Sequence, residues 1–123
     1  MEIVDIRKVA KIAKAKGAIT VVDNTFASPV NQSPLKLGAD LVVHSTTKYL
    51  GGHSDLTGGA VIGPAALVKS LWGWRKNLGQ IMAPEVAYLL ARSIRSLVVR
   101  VRQQNSTAMQ VASFFLSIPK SKR

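Results

Sequence analysis

Cysteine is absent from the chain, which excludes disulfide staples and thiolate zinc sites and suits a reducing compartment. Aromatic residues make up only 6%, and no aromatic-stacking or recognition-helix pattern accompanies the positive charge, so nucleic acid is not the expected partner. Long apolar runs are missing too: nothing approaches the roughly 18 uninterrupted residues of a membrane span. The opening MEIVDIRKVA sets acids beside its first apolar residues and lacks a small-residue cleavage site. It does not read as a secretory leader, and a cytoplasmic location is the expectation. Acids are missing after Glu85. Residues 69–123 carry ten Lys and Arg against one acid, whereas residues 1–68 carry seven against five. Most of the net charge of +11 therefore belongs to the second half, read here as a solvated helix face plus a basic tail at Lys120–Arg123.

What remains is ordinary globular material, 47% apolar over 123 residues, enough for one modest domain. Residues 5–16 place Ile6, Val9, Ala10 and Ala13 at helical spacing, and Gly17 stops the helix. Residues 18–22, AITVV, form a nearly continuous apolar run, as a parallel strand covered on both faces would show. Asp23 then lies at a strand's C-terminal edge, where open α/β sheets bind ligands. The segment NTFASPVNQSP turns the chain, and a short helical turn from Ser33 ends at Gly38. A second strand over residues 40–44 delivers Ser45 to Lys48 at the same edge. A third short strand fits residues 60–62, and a helix fits residues 65–77, weakened by Gly73. Pro84 opens a longer helical pattern, Val86, Leu89, Leu90, Ile94 and Leu97, that continues toward Pro119. Helix-to-strand units in succession predict an α/β fold. A final helical stretch of some thirty residues needs something to lie against, which implies further chain or a partner subunit.

The chemistry concentrates between Asp23 and Asp55. A lysine amine is nucleophilic near neutrality only when its environment depresses its pKa or when a carbonyl cofactor holds it as a Schiff base. Lys48 follows Ser45, Thr46 and Thr47 at a strand end, and Asp23 stands at the neighbouring one. An acid and an amine so placed suit a ligand with a basic ring nitrogen at one end and an aldehyde at the other, which describes pyridoxal phosphate. Ser45 and Thr47 can donate to its phosphate. The plainer readings are a turn lysine, an Asx turn at Asp23 and ordinary turn hydroxyls. Ser45 to Lys48 also fits the SxxK pattern of serine acyl-enzymes, but no KTG follows and only Ser54-Asp55-Leu56 stands where SDN is needed. Gly51-Gly52 lacks the ending of a nucleotide P-loop, and no GxGxxG is present. His44 and His53 lack a third ligand, so no metal site is expected.

Taken together, VVDNTFASP, then PLKLGADLVVHSTTKYLGGHSD, then a Gly-Gly before an apolar strand, then LLARSIRSL resemble the Cys/Met-metabolism family of pyridoxal-phosphate enzymes over nearly the whole chain. The resemblance implies part of a fold-type-I large domain, a mostly parallel sheet with flanking helices. Residues 1–83 would be the partial cofactor-binding domain, and residues 84–123 a helix leading toward an absent C-terminal domain. It implies Lys48 as the aldimine lysine, Asp23 as partner of the pyridine nitrogen, Thr25 as a hydroxyl near the ring, and Ser45 and Thr47 as phosphate contacts. The implied activity is β- or γ-elimination, or γ-replacement, on a small sulfur amino-acid substrate such as cystathionine, a homoserine ester or methionine, in a homo-oligomer or with a complementing chain. Val30 departs from the larger residue often found at its place. A reading of a different class is a catalytically incompetent remnant that binds cofactor weakly or associates with a full-length relative.

Overall fold

The computed structural model describes residues 3–118; the basic tail lies outside them. The first helix, α1 (Ile6–Ala15), starts where the Asp5 carboxylate accepts from the Lys8 N–H at 3.2 Å. It stops at Gly17, whose φ of +66° turns the chain away. Its one buried side chain is Ala10, small because the following turn at Gly38 approaches it closely.

Strand β1 (Val21–Asp23) pairs in parallel with β2 (Leu41–Ser45), Val21 opposite Leu41 and Asp23 opposite Val43. The register is pinned at both ends. At the entry, the Thr20 N–H and hydroxyl both donate to Asp40 Oδ2 at 2.7 Å, and the Asp40 N–H returns a bond to Thr20 Oγ1 at 3.0 Å. At the exit, the Asn24 N–H donates to Val43 O at 3.0 Å and the Ser45 N–H to Thr25 Oγ1 at 2.8 Å. A one-residue slip would break all of these together.

Between the strands run a short α2 (Ser28–Asn31) and a 3₁₀ turn (Pro34–Leu37) that closes at Gly38. Asn24, 1% exposed, holds this connection: its amide donates to Ser28 O and Gln32 O, and its carbonyl accepts from Gln32 Nε2. After β2 a wide turn, Thr46–Leu50, brings the chain back to β3 (Gly59–Ile62), which pairs antiparallel with β2. The three described strands therefore form a mixed sheet in the order β1-β2-β3. The return from β2 contains no crossover helix, and without one the next strand enters antiparallel.

Helix α3 (Ala65–Asn77) passes straight through Gly73 and buries no side chain. The single long helix expected from Pro84 is two helices, α4 (Pro84–Ile94) and α5 (Leu97–Ser117), divided at Arg95-Ser96. Serine causes the break. The Ser96 hydroxyl donates to Ser93 O at 3.1 Å, closing a local turn that competes with the helical ladder. The beginning of α5 packs on the wide turn, burying Leu97 and Val101.

The expected two-sided cover of the first strand is not found. Ile19 and Val21 are 59% and 56% exposed, β1 being an edge strand among the described residues, whereas its partner β2, in the middle of the sheet, alternates buried and half-buried side chains. The buried apolar core is small: Ala10, Ala39, Val42, Leu56, Leu97 and Val101.

Candidate functional site

Parallel pairing puts the C-terminal ends of β1 and β2 at one edge of the sheet, which brings Asp23 and the segment Ser45–Lys48 together. Asp23 is solvent-exposed, and its Oδ1 accepts from the Thr25 N–H at 2.9 Å. Its pKa is lowered, first by the Thr25 side chain and then by the Thr25 N–H. Partial burial opposes the shift, and the nearby His44 assists it. The carboxylate is thus an anion at neutral pH.

Thr25 is buried and serves both strands. Its N–H meets Asp23 while its Oγ1 accepts from the Ser45 N–H, so the acid and the start of the hydroxyl triplet are tied through one residue. The chain's passage from the end of β2 into the wide turn sorts that triplet. Ser45 and Thr47 are half-buried, with Thr47 Oγ1 accepting from the Gly58 N–H at 3.2 Å and its own proton left to donate. Thr46 is fully buried, and its Oγ1 is the one buried side-chain polar atom of the described residues without a hydrogen-bond partner.

Lys48 interrupts the wide turn with non-helical φ −86° and ψ −119°. Around it, the Gly51 N–H donates to Thr46 O at 2.8 Å and the Gly52 N–H to Lys48 O at 2.7 Å, so the turn stays closed on both sides of the lysine. The Lys48 side chain is exposed, and no acid among the described residues engages it. On the opposite face of β2, His44 is 6% exposed and paired across the ladder with Ala60. Burial lowers its pKa and the Asp23 charge offsets this in part. His44 and His53 do not come together with a third ligand; among the described residues no group of three or more metal-ligating side chains forms.

Pyridoxal phosphate would need an amine, an anionic acid and hydroxyl donors along one rim. An uncommitted lysine, an exposed ionised carboxylate and two half-buried hydroxyls meet those needs, so the residues present fit the group. Two participants escaped the sequence reading. Asn24 carried only the signal of turn chemistry after a strand, and Arg100, which binds the Lys48 turn, looked like one more solvated arginine.

The family model described as Cys/Met metabolism PLP-dependent enzyme matches residues 1–123. Cystathionine gamma-synthase 1, chloroplastic, of Nicotiana tabacum is 47% identical over 117 residues, 95% of this chain and 22% of its own length. L-Methionine gamma-lyase of Pseudomonas putida is 47% identical over 121 residues, 97% of this chain and 30% of its own. The crystal structure of cystathionine gamma-lyase from Lactobacillus plantarum, complexed with L-serine, superposes with a TM-score of 0.94 at 38% identity, covering 99% of this chain and 32% of that one. The chain spans less than a third of the length of each of these relatives. With a match from end to end, on a fold shared in three dimensions, the chain belongs to the Cys/Met metabolism family of PLP-dependent enzymes.

Proposed function

We propose that the chain supplies the cofactor-binding edge of a pyridoxal-phosphate enzyme that breaks or exchanges the bond to sulfur, or to an ester oxygen, at the β or γ carbon of a small amino acid. The observation that carries this reading is the juxtaposition of an ionised Asp23 and an exposed Lys48 at the ends of two parallel strands joined through Thr25. When bound, the cofactor supplies an electron sink for charge developing on the substrate carbon.

The chain's own residues do the rest. The Lys48 amine would hold the cofactor's aldehyde end, and its Nζ would take and return a proton. Asp23 would pair with the ring nitrogen and favour its protonated form. Thr25 keeps that carboxylate oriented by its N–H while fixing Ser45 at the edge. The Ser45 and Thr47 hydroxyls would donate to the phosphate. The division at residues 83 and 84 belongs to the same reading: the cofactor edge lies before it, and the helices after it lead toward a further domain. The substrates proposed are cystathionine, homoserine esters or methionine, and the working unit is a homo-oligomer or a pair of complementing chains. Among the described residues no helix is long and apolar enough to cross a membrane; the proposed location is the cytoplasm, checked by imaging a fluorescent fusion.

The test is an absorbance titration with pyridoxal phosphate, then borohydride reduction and peptide mapping. The expected result is a new long-wavelength band with the label on Lys48, both lost in Lys48→Ala. Turnover assays on the three substrate types follow. Label scattered over surface lysines, with no band, overturns the reading and favours an incompetent remnant.

A further inference from the structure

Of Arg92, Arg95, Arg100 and Arg102, only Arg100 donates side-chain hydrogen bonds among the described residues, and only Arg100 is half-buried. Its guanidinium makes three: Nη1 to Tyr49 O at 2.9 Å, Nη2 to Ser93 O at 3.0 Å and Nε to Ser96 Oγ at 3.0 Å. Tyr49 follows Lys48 directly. The guanidinium also fills the space over Gly52, where a Cβ would overlap it and where φ is +77°. His53 closes the far side, its Nδ1 2.7 Å from Gly51 O and 3.4 Å from Ser93 Oγ. One cation thus joins the turn carrying Lys48 to the α4–α5 break, through charge-assisted bonds from a rigid planar fork.

We infer that Arg100 is a positioning residue for Lys48: it fixes the turn at residues 49–52 and so sets where the Lys48 amine stands at the sheet edge. The inference rests on the functional reading above, because it assigns a purpose to that placement. At the α4–α5 break itself, Ser93 O accepts from both the Ser96 hydroxyl and Arg100 Nη2, so the contact and the break share one carbonyl.

The test compares the whole chain with Arg100→Met and Arg100→Lys in two measurements. Amide hydrogen exchange reads the turn, and pyridoxal phosphate with borohydride, followed by peptide mapping, reads the share of label on Lys48. Arg100→Met is expected to speed exchange at residues 49–53 about tenfold or more, leave residues 20–25 unchanged, and cut the Lys48 share of label by a similar factor. Arg100→Lys, which keeps the charge but loses the fork, falls between. Unchanged exchange overturns the inference. Faster exchange with an unchanged Lys48 share overturns the positioning role, since the contact is then structural only. If the wild-type chain takes no label on Lys48, the functional reading falls, and the inference is judged on exchange and on the backbone NMR shifts of Lys48, with no change on substitution overturning it. Should Arg100→Met fail to fold, Arg100→Lys carries both measurements.

Discussion

Asp23 keeps its charge because Thr25 attends to it from both the side chain and the backbone. On the proposed reading the depressed pKa has a functional sign: the anion that would pair with a protonated ring nitrogen is present across the neutral range. In Asp23→Asn the Thr25 N–H still finds an acceptor, which preserves the turn, but the charge is gone. Pyridoxal phosphate affinity is expected to fall about tenfold to a hundredfold, the range for losing one charge-assisted bond, while the urea midpoint barely moves. Equilibrium absorbance titration beside urea unfolding checks this. A large loss of stability with unchanged affinity would make Asp23 a turn residue and nothing more.

At the scale of elements, the wide turn after β2 is what places Lys48, and glycine makes it possible. Gly51 has an ordinary φ of −75°, so conformational freedom is not the reason it is glycine. Space is the reason. A Cβ there would stand 2.8 Å from Thr46 O and 3.1 Å from the Leu56 side chain. Gly51→Ala is therefore expected to push the turn open, costing ~1–3 kcal/mol as overpacking does and weakening labelling of Lys48. Urea denaturation and peptide mapping check it. The order of elements was legible in the residues. Gly17 and Gly38 end their helical turns as expected, and Pro84 opens a helix. What was not legible depends on contacts distant in sequence. The antiparallel entry of β3 follows from how the turn folds back. The α4–α5 break follows from hydroxyls that compete with backbone bonds, and the role of Arg100 from a carbonyl 51 residues away. The exposure of Ile19 and Val21 was hidden for a different reason: hydropathy reports what prefers burial, not what lies alongside.

Over the whole molecule, charge and burial combine into one pH dependence. The chain carries +11 at neutrality, so self-repulsion grows with every proton added on acidification. Two kinds of group add to this. His44 is buried, and its folded pKa is depressed below the ordinary 6.5. The unfolded chain therefore binds a proton there before the folded one does, and stability present above pH 6.5 drains away as pH falls toward the depressed value. Asp40, held by the Thr20 N–H and hydroxyl, and Asp23, held by Thr25, are depressed below 3.8. Their contributions are intact above that value and are lost as pH falls through the folded ones. The expected profile has a plateau above neutrality, a first decline below about pH 6.5, and a second below about pH 4 that leads to acid unfolding. Urea midpoints measured at half-unit steps trace it, and two variants assign the steps. His44→Gln should flatten the first decline and leave the second. Thr20→Val, which removes the hydroxyl bond to Asp40 at the entry to both strands, should lower the plateau and shallow the second decline. A His44→Gln profile that still falls between pH 6.5 and 5 would mean that general charge repulsion, not the buried imidazole, governs the first step. The remedy would then be salt: screening by 0.5 M salt, at a Debye length of only about 4 Å, should abolish a repulsive decline while leaving one caused by a buried histidine in place.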